Sequence, residues 1–182
     1  MTNRRDFIKS MSLLTSSLII PMSAKSAIFN SFTDKFGNLL PLRKLGNTGE
    51  KVTMLGLGGF HVGWTTEKDA QEVIETAMEG GIRFFDTAHN YGKGLSEERY
   101  GKYLVPKYRD EVFIMTKSTA PNGKKLEEEF ELSLQRMKTD YVDLLQIHSI
   151  KTPEDVDGRV ANGVIESILK IKESGKAKYI GF

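Results

Sequence analysis

Arg83-Phe84-Phe85-Asp86-Thr87-Ala88-His89-Asn90-Tyr91-Gly92 decides how the rest of the chain is read. An apolar pair, Phe84 and Phe85, runs directly into an acid. A short polar loop follows, carries a tyrosine and meets a glycine. Gly80 and Gly81 precede the stretch, and a helical run from Ser96 follows it. The pattern is that of a buried strand, a charged tip, a loop and a helix. In a parallel α/β fold the strand tips and the loops after them are where chemistry sits. Asp86 and Tyr91 can face one pocket from such a place. The plainer alternative is that Asp86 caps a turn and Tyr91 is a partly exposed loop tyrosine.

The same grammar repeats on both sides of this stretch. Upstream, Leu40 to Leu45 and Val52 to Leu55 flank Gly46-Asn47-Thr48-Gly49, which predicts a hairpin. Its second segment continues as Leu55-Gly56-Leu57-Gly58-Gly59. His61 stands where a third glycine belongs, so this is not a dinucleotide fingerprint. Thr66, with Asp69 three residues later, predicts a helix start. Ala70, Val73, Ile74, Ala77 and Met78 then share one helical face, and Gly80-Gly81 ends it. Downstream, a helix is expected from Ser96 to about Leu104 and a strand from Val112 to Thr116, ending in Lys117. Another helix carries Leu126, Phe130, Leu134 and Met137 inward. Tyr141 to Ile147 reads as a strand ending in His148. Pro153 opens a helical region whose apolar stripe is Val164, Ile165, Ile168 and Leu169. Gly175 closes it, and Lys178 to Phe182 starts a further strand.

The expected alternation therefore has five strands, beginning at Val52, Arg83, Val112, Tyr141 and Lys178, with four helices between them. Near-continuous apolar strands of this kind belong to a parallel sheet covered by helices.

The amino terminus reads differently. Arg4-Arg5-Asp6-Phe7-Ile8-Lys9 precedes a mildly apolar run from Met11 to Met22, and small residues follow at Ser23, Ala24, Ser26 and Ala27. Basic, apolar and small residues in that order form the layout of an export signal. The run is short and serine-rich, whereas a bilayer span takes ~20 apolar residues; stable membrane insertion is not expected. The paired arginines resemble a twin-arginine signal, which implies the twin-arginine export machinery as a partner and a periplasmic, bacterial destination. A basic amphipathic anchor is the alternative. The expected division is an export signal over 1–26, a linker over 27–38 and the folded part over 39–182.

Composition narrows the function classes. The 182 residues are 27% charged and 39% hydrophobic, with a formal net charge of +2. Nothing in that balance points to nucleic acid. With no cysteine there is no disulfide and no thiolate metal site. His61, His89 and His148 lack metal-binding spacing, so no metal is expected.

Three expected strands end in an ionisable residue: Asp86, Lys117 and His148. Tyr91 lies in the loop after the first of them. In a parallel sheet these ends share one face, so the four groups can converge. Each also has a structural alternative: an Asp86–Lys117 salt bridge, a satisfied core histidine, a packed tyrosine.

Taken in order, Leu55-Gly56-Leu57-Gly58, Phe85-Asp86-Thr87-Ala88 with Tyr91-Gly92, Ser96-Glu97, Thr116-Lys117 and Asp143-Leu144-Leu145-Gln146-Ile147-His148 resemble the aldo/keto reductase family. Tyr179-Ile180-Gly181 is similar to the family's next strand, so the resemblance runs from about Leu40 onward. It implies a (β/α)8 TIM-barrel-type α/β fold, NADP(H) as cofactor, and reduction of a small carbonyl substrate, aldehyde or ketone, to an alcohol. The family's four catalytic positions fall on Asp86, Tyr91, Lys117 and His148. The resemblance also implies that Asp86 borders the cofactor.

That set has a chemical logic. A carbonyl that accepts hydride must also gain a proton, and Tyr91 would supply it. A free phenol has a pKa of about 10, and a nearby ammonium favours the phenolate, which is the role implied for Lys117. Asp86 would hold Lys117 charged and in place, and His148 would orient the carbonyl oxygen. Trp64, expected in the loop after the first barrel strand, either walls the substrate pocket or packs as an ordinary aromatic.

A full barrel of this type takes ~250 residues. The expectation here is accordingly an incomplete one, with most cofactor-binding residues lying beyond Phe182. The reading from a different class is an exported, non-catalytic half-barrel, either a binding module or a nonfunctional product.

Overall fold

The computed structural model describes residues 32–182. The expected export signal lies outside the described residues, as does the start of the expected linker.

The rest of that linker is ordered. Thr33–Asp34 (β1) and Gly37–Asn38 (β2) form a small antiparallel ladder. It is tied to the fold by Arg83, whose guanidinium grips Asp34 at 2.6 and 3.1 Å. The expected hairpin follows as Leu42–Lys44 (β3) and Lys51–Thr53 (β4), paired antiparallel. Here one expectation needs correction. The Val52 segment belongs only to this hairpin, and the first parallel strand is the separate pair Leu57–Gly58 (β5). The chain between them is consumed by the bend through Met54 to Gly56. Thr53 holds that bend by donating its hydroxyl to the Leu55 carbonyl at 2.8 Å.

Five strands then lie parallel in sequence order: β5, Phe84–Asp86 (β6), Phe113–Ser118 (β7), Val142–Ile147 (β8) and Ala177–Gly181 (β9). The helical connections are more numerous than the four expected. Gly59–Trp64 (α1) is a short extra helix directly after β5. Glu67–Glu79 (α2) starts at Thr66, whose side chain accepts the Asp69 amide as a cap, a device worth about 1 kcal/mol. Ala70, Ile74, Ala77 and Met78 face inward as expected, but Val73 is exposed. The helix expected from Ser96 is Leu95–Arg99 (α3). It runs through a π-helical turn at Tyr100–Leu104 into Val105–Tyr108 (α4). Gly123–Met137 (α5) buries Leu126, Phe130, Leu134 and Met137, the four residues named by the pattern.

The last connection is two helices, Pro153–Ala161 (α6) and Val164–Glu173 (α7). The stripe expected on α7 is half right. Val164 and Ile168 are buried with Ser167 and Ile171, while Ile165 and Leu169 are exposed. The backbone shows why. Gly123 lies against Gly163 and Ser167 so closely that a Cβ there would collide with both. That contact turns the Val164–Ser167–Ile171 side of α7 toward α5. The core between sheet and helices is filled by Phe85, Ile114, Leu145, Tyr100, Phe130 and their neighbours.

Candidate active site

Parallel register places the ends of β6, β7 and β8 side by side. Asp86 pairs in register with Met115, and Lys117 with Gln146. Lys117 therefore lies within β7, one residue short of its end, rather than after it. His148 follows β8 immediately, and its amide donates to the Ser118 carbonyl at 2.8 Å.

These positions bring all four predicted residues together. The Lys117 ammonium donates to Asp86 Oδ1, to the Thr87 carbonyl at 2.9 Å and to the Tyr91 hydroxyl at 3.4 Å. It also lies 4.9 Å from the centre of the Tyr91 ring. The His148 ring meets Tyr91 edge-on, with centroids 5.7 Å apart. The Lys117 side chain is 11% exposed and that of Asp86 33%, so the pair is sheltered without being sealed.

Tyr91 is aimed by an unusual piece of backbone. Gly92, Lys93 and Gly94 follow it with φ of 59°, 58° and 100°, all in the left-handed half of conformational space. Lys93 has no glycine-like freedom there, and such strain persists only where surrounding contacts over-determine the loop. One of those contacts is with α1. A Cβ on Gly63 would stand 2.9 Å from the Tyr91 carbonyl carbon and the Gly92 amide. Two glycines thus let α1 press directly on the Tyr91 loop. Arg99 fixes α1 from its far end by donating to the Val62 carbonyl and, at 3.0 Å, to the Thr65 carbonyl.

The surroundings of His148 disfavour its charged form. Burial pushes its pKa below the usual histidine value, and the Lys117 and Arg159 charges push the same way, while Asp86 opposes them. The imidazole is therefore neutral near pH 7. Its Nδ1 is buried and finds no hydrogen-bond partner among the described residues. A buried polar atom without a partner is uncommon in a folded protein and calls for an explanation, a functional role among them.

Trp64 is 57% exposed and stands on α1, not in a loop. Phe60, one helical turn earlier, is 50% exposed and meets the Tyr91 ring edge-on at 5.4 Å. Phe60 was not singled out by the sequence reading. Its i, i+4 spacing from Trp64 would have revealed the pair had α1 been expected. An ammonium, a phenol and an unpartnered imidazole nitrogen, next to exposed aromatics, suit a polar carbonyl oxygen carried on an otherwise apolar ligand. The same donors can also meet the carboxamide oxygen of a nicotinamide.

Known proteins resemble this chain over most of its described length. A profile of the Aldo/keto reductase family matches residues 54–182. The chain is 35% identical over 156 residues to the L-galactose dehydrogenase of Arabidopsis thaliana, covering 78% of this chain and 48% of that protein. It is 30% identical over 169 residues to the D-threo-aldose 1-dehydrogenase of a Pseudomonas species, covering 73% and 50%. Among solved structures, the holo form of aldo-keto reductase AKR11C1 from Bacillus halodurans superposes with a TM-score of 0.69 at 29% identity. That match covers 78% of this chain and 49% of the other. The chain spans about half the length of these relatives. Its neighbours are of the (β/α)8 type, and the five parallel strands correspond to part of that architecture. On the extent of that match the chain belongs to the aldo/keto reductase family.

Proposed function

We propose that this protein is an NADP(H)-dependent reductase that converts aldehyde or ketone carbonyls to alcohols, with Tyr91 as proton donor. Family membership supports an oxidoreductase that uses a nicotinamide cofactor; the phosphorylated form and the role of Tyr91 belong to the proposal. When bound, the nicotinamide supplies hydride to the carbonyl carbon. The chain's own residues manage the proton and the oxygen. Tyr91 presents its hydroxyl to the carbonyl oxygen and gives up its proton as negative charge develops there. The Lys117 ammonium, 3.4 Å from that hydroxyl, stabilises the phenolate that remains. Asp86 accepts a hydrogen bond from the ammonium and fixes its position. His148, neutral because of burial and its cationic neighbours, orients the oxygen through a ring N–H. Run in reverse, as the dehydrogenase names of two relatives describe for those proteins, the Tyr91 phenolate accepts the proton of an alcohol.

The observation that carries this reading is the short contact chain from Asp86 through Lys117 to Tyr91. Tyr91→Phe tests it. The ring remains and only the proton donor is lost, so kcat should fall about 10² to 10⁴-fold while NADPH binding, followed by fluorescence titration, stays unchanged. Near-full carbonyl reduction by Tyr91→Phe would remove Tyr91 from its role.

A further inference from the structure

Glu97 is fully buried in the first turn of α3. A carboxylate there is tolerated only with partners, and it has two. Thr116, the residue before Lys117, donates its hydroxyl to Oε1 at 2.7 Å. Arg136, next to last in α5, donates to Oε2 at 3.1 Å. The same Arg136 nitrogen also donates to the His89 carbonyl at 3.0 Å and lies 3.3 Å from His89 Nδ1. Its guanidinium is packed so tightly on Gly94 that a Cβ at that glycine would collide with the central carbon. One guanidinium thus grips the loop on both sides of Tyr91, at His89 and at Gly94. Its counter-ion is bonded to the strand that carries Lys117.

A buried pair of this kind is weak evidence for stability, because desolvation consumes most of its attraction. Its geometric effect is definite. The left-handed run Gly92–Lys93–Gly94 does not hold itself, and the Lys117–Tyr91 contact at 3.4 Å is already near the outer limit of a hydrogen bond. A small drift of the loop would break it.

We propose that Arg136 and Glu97 are positioning residues that set the Tyr91 phenol against the Lys117 ammonium, an inference that rests on the reductase reading above. Neither residue touches substrate; both act through Tyr91. Steady-state kinetics of Arg136→Met, Tyr91→Phe and the double variant tests this. Arg136→Met should lower kcat about 10 to 10²-fold, the scale of a misplacement of about 1 Å, with the KM for NADPH unchanged. In the Tyr91→Phe background the same change should cost nothing further, because the group it positions is gone. An equal loss in both backgrounds would overturn the inference and leave Arg136 a general structural residue. If Tyr91→Phe itself loses nothing, the reductase reading falls and takes this inference with it. Arg136→Lys guards against a misfolded Met variant. It keeps a charge for Glu97 but lacks the flat guanidinium that packs against Gly94, so kcat should still drop while far-UV circular dichroism is unchanged. A wild-type kcat in Arg136→Lys would also overturn the proposal.

Discussion

The two ends of the parallel sheet use charge in opposite ways. Where the strands begin, Asp143 is 3% exposed and saturated. It accepts Arg109 and the Ile114 amide, both at 2.9 Å, and pairs with Lys178 at 2.7 Å. Arg109 spends its remaining donors on the Val112 and Tyr141 carbonyls and on Thr139, and stacks 3.8 Å from the Tyr141 ring. Burial is the largest influence on Lys178 and opposes its charge, yet the hydrogen bond to Asp143, together with the charges of Asp143 and Tyr141, outweighs it and raises the Lys178 pKa. Nearby, Arg83 is similarly consumed by Asp34 and by the Met78 and Ile82 carbonyls. Where the strands end, Lys117 reaches Tyr91 only loosely and a His148 nitrogen has no partner among the described residues. Saturated charges hold a structure together. Groups held more loosely, at the end where barrel enzymes place their chemistry, can exchange partners when a ligand arrives.

Asp143→Ala is the severest way to test this contrast. It strands two cations and a backbone amide at the saturated end, and breaking one side of a buried network costs about 3–5 kcal/mol. Chemical denaturation should show a loss of that size, while residual folded protein keeps its ligand affinity at the far end. Stability unchanged within about 0.5 kcal/mol, which is ordinary for a surface site, would erase the distinction drawn here.

The two ends were not equally legible in the sequence. Asp86, Tyr91, Lys117 and His148 stood out because each terminates an apolar run or sits in the loop after one, and parallel register then did the rest. Asp143 was noticed only as part of a motif, since a charge one residue inside a strand gives no hint that three donors surround it. Glu97 was likewise noticed only as part of a motif, and Arg136 not at all. Their meaning comes from contacts 39 residues apart in sequence, which local patterning cannot convey. Secondary structure failed where two apolar residues competed for one face. Val164 and Ile165 are both good core candidates, and the Gly123–Gly163 contact, not hydropathy, chose between them. The Val52 segment was misassigned because a hairpin strand and a barrel strand separated by a three-residue bend share one apolar run.

Gly63→Ala sharpens the comparison from the open end. The added methyl would stand 2.9 Å from Tyr91 and Gly92 backbone atoms, which cannot swing aside as a side chain would. Overpacking of this kind costs about 1–3 kcal/mol, less than the loss at Asp143. The functional consequence should be larger than that stability loss suggests. Displacing the Tyr91 loop should lower kcat up to about 10²-fold, whereas an equally destabilising change near Asp143 should leave the rate per folded molecule intact. Equal kcat in wild type and Gly63→Ala would show that the α1 contact does not aim Tyr91.

The finest probe is the titration of His148. Its folded pKa lies below the usual value of about 6.5, first because of burial, then because Lys117 and Arg159 repel a third positive charge. The sign follows from proton counting. Between the folded and unfolded pKa values the unfolded chain carries the extra proton, so stability rises with pH across that window. The contribution is fully present above about pH 6.5 and is lost as pH falls through the depressed folded value. Proton NMR of the imidazole should therefore give a His148 midpoint below that of a free histidine. Lys117→Met removes one repelling charge and leaves Asp86, which favours the protonated form, without its counter-ion. Both changes act in the same direction, so the midpoint should rise. Removing Lys178 at the saturated end is the control, because that ammonium is committed to Asp143. A His148 midpoint that responds equally to both substitutions would mean that the two ends of the sheet share one field rather than dividing structure from chemistry.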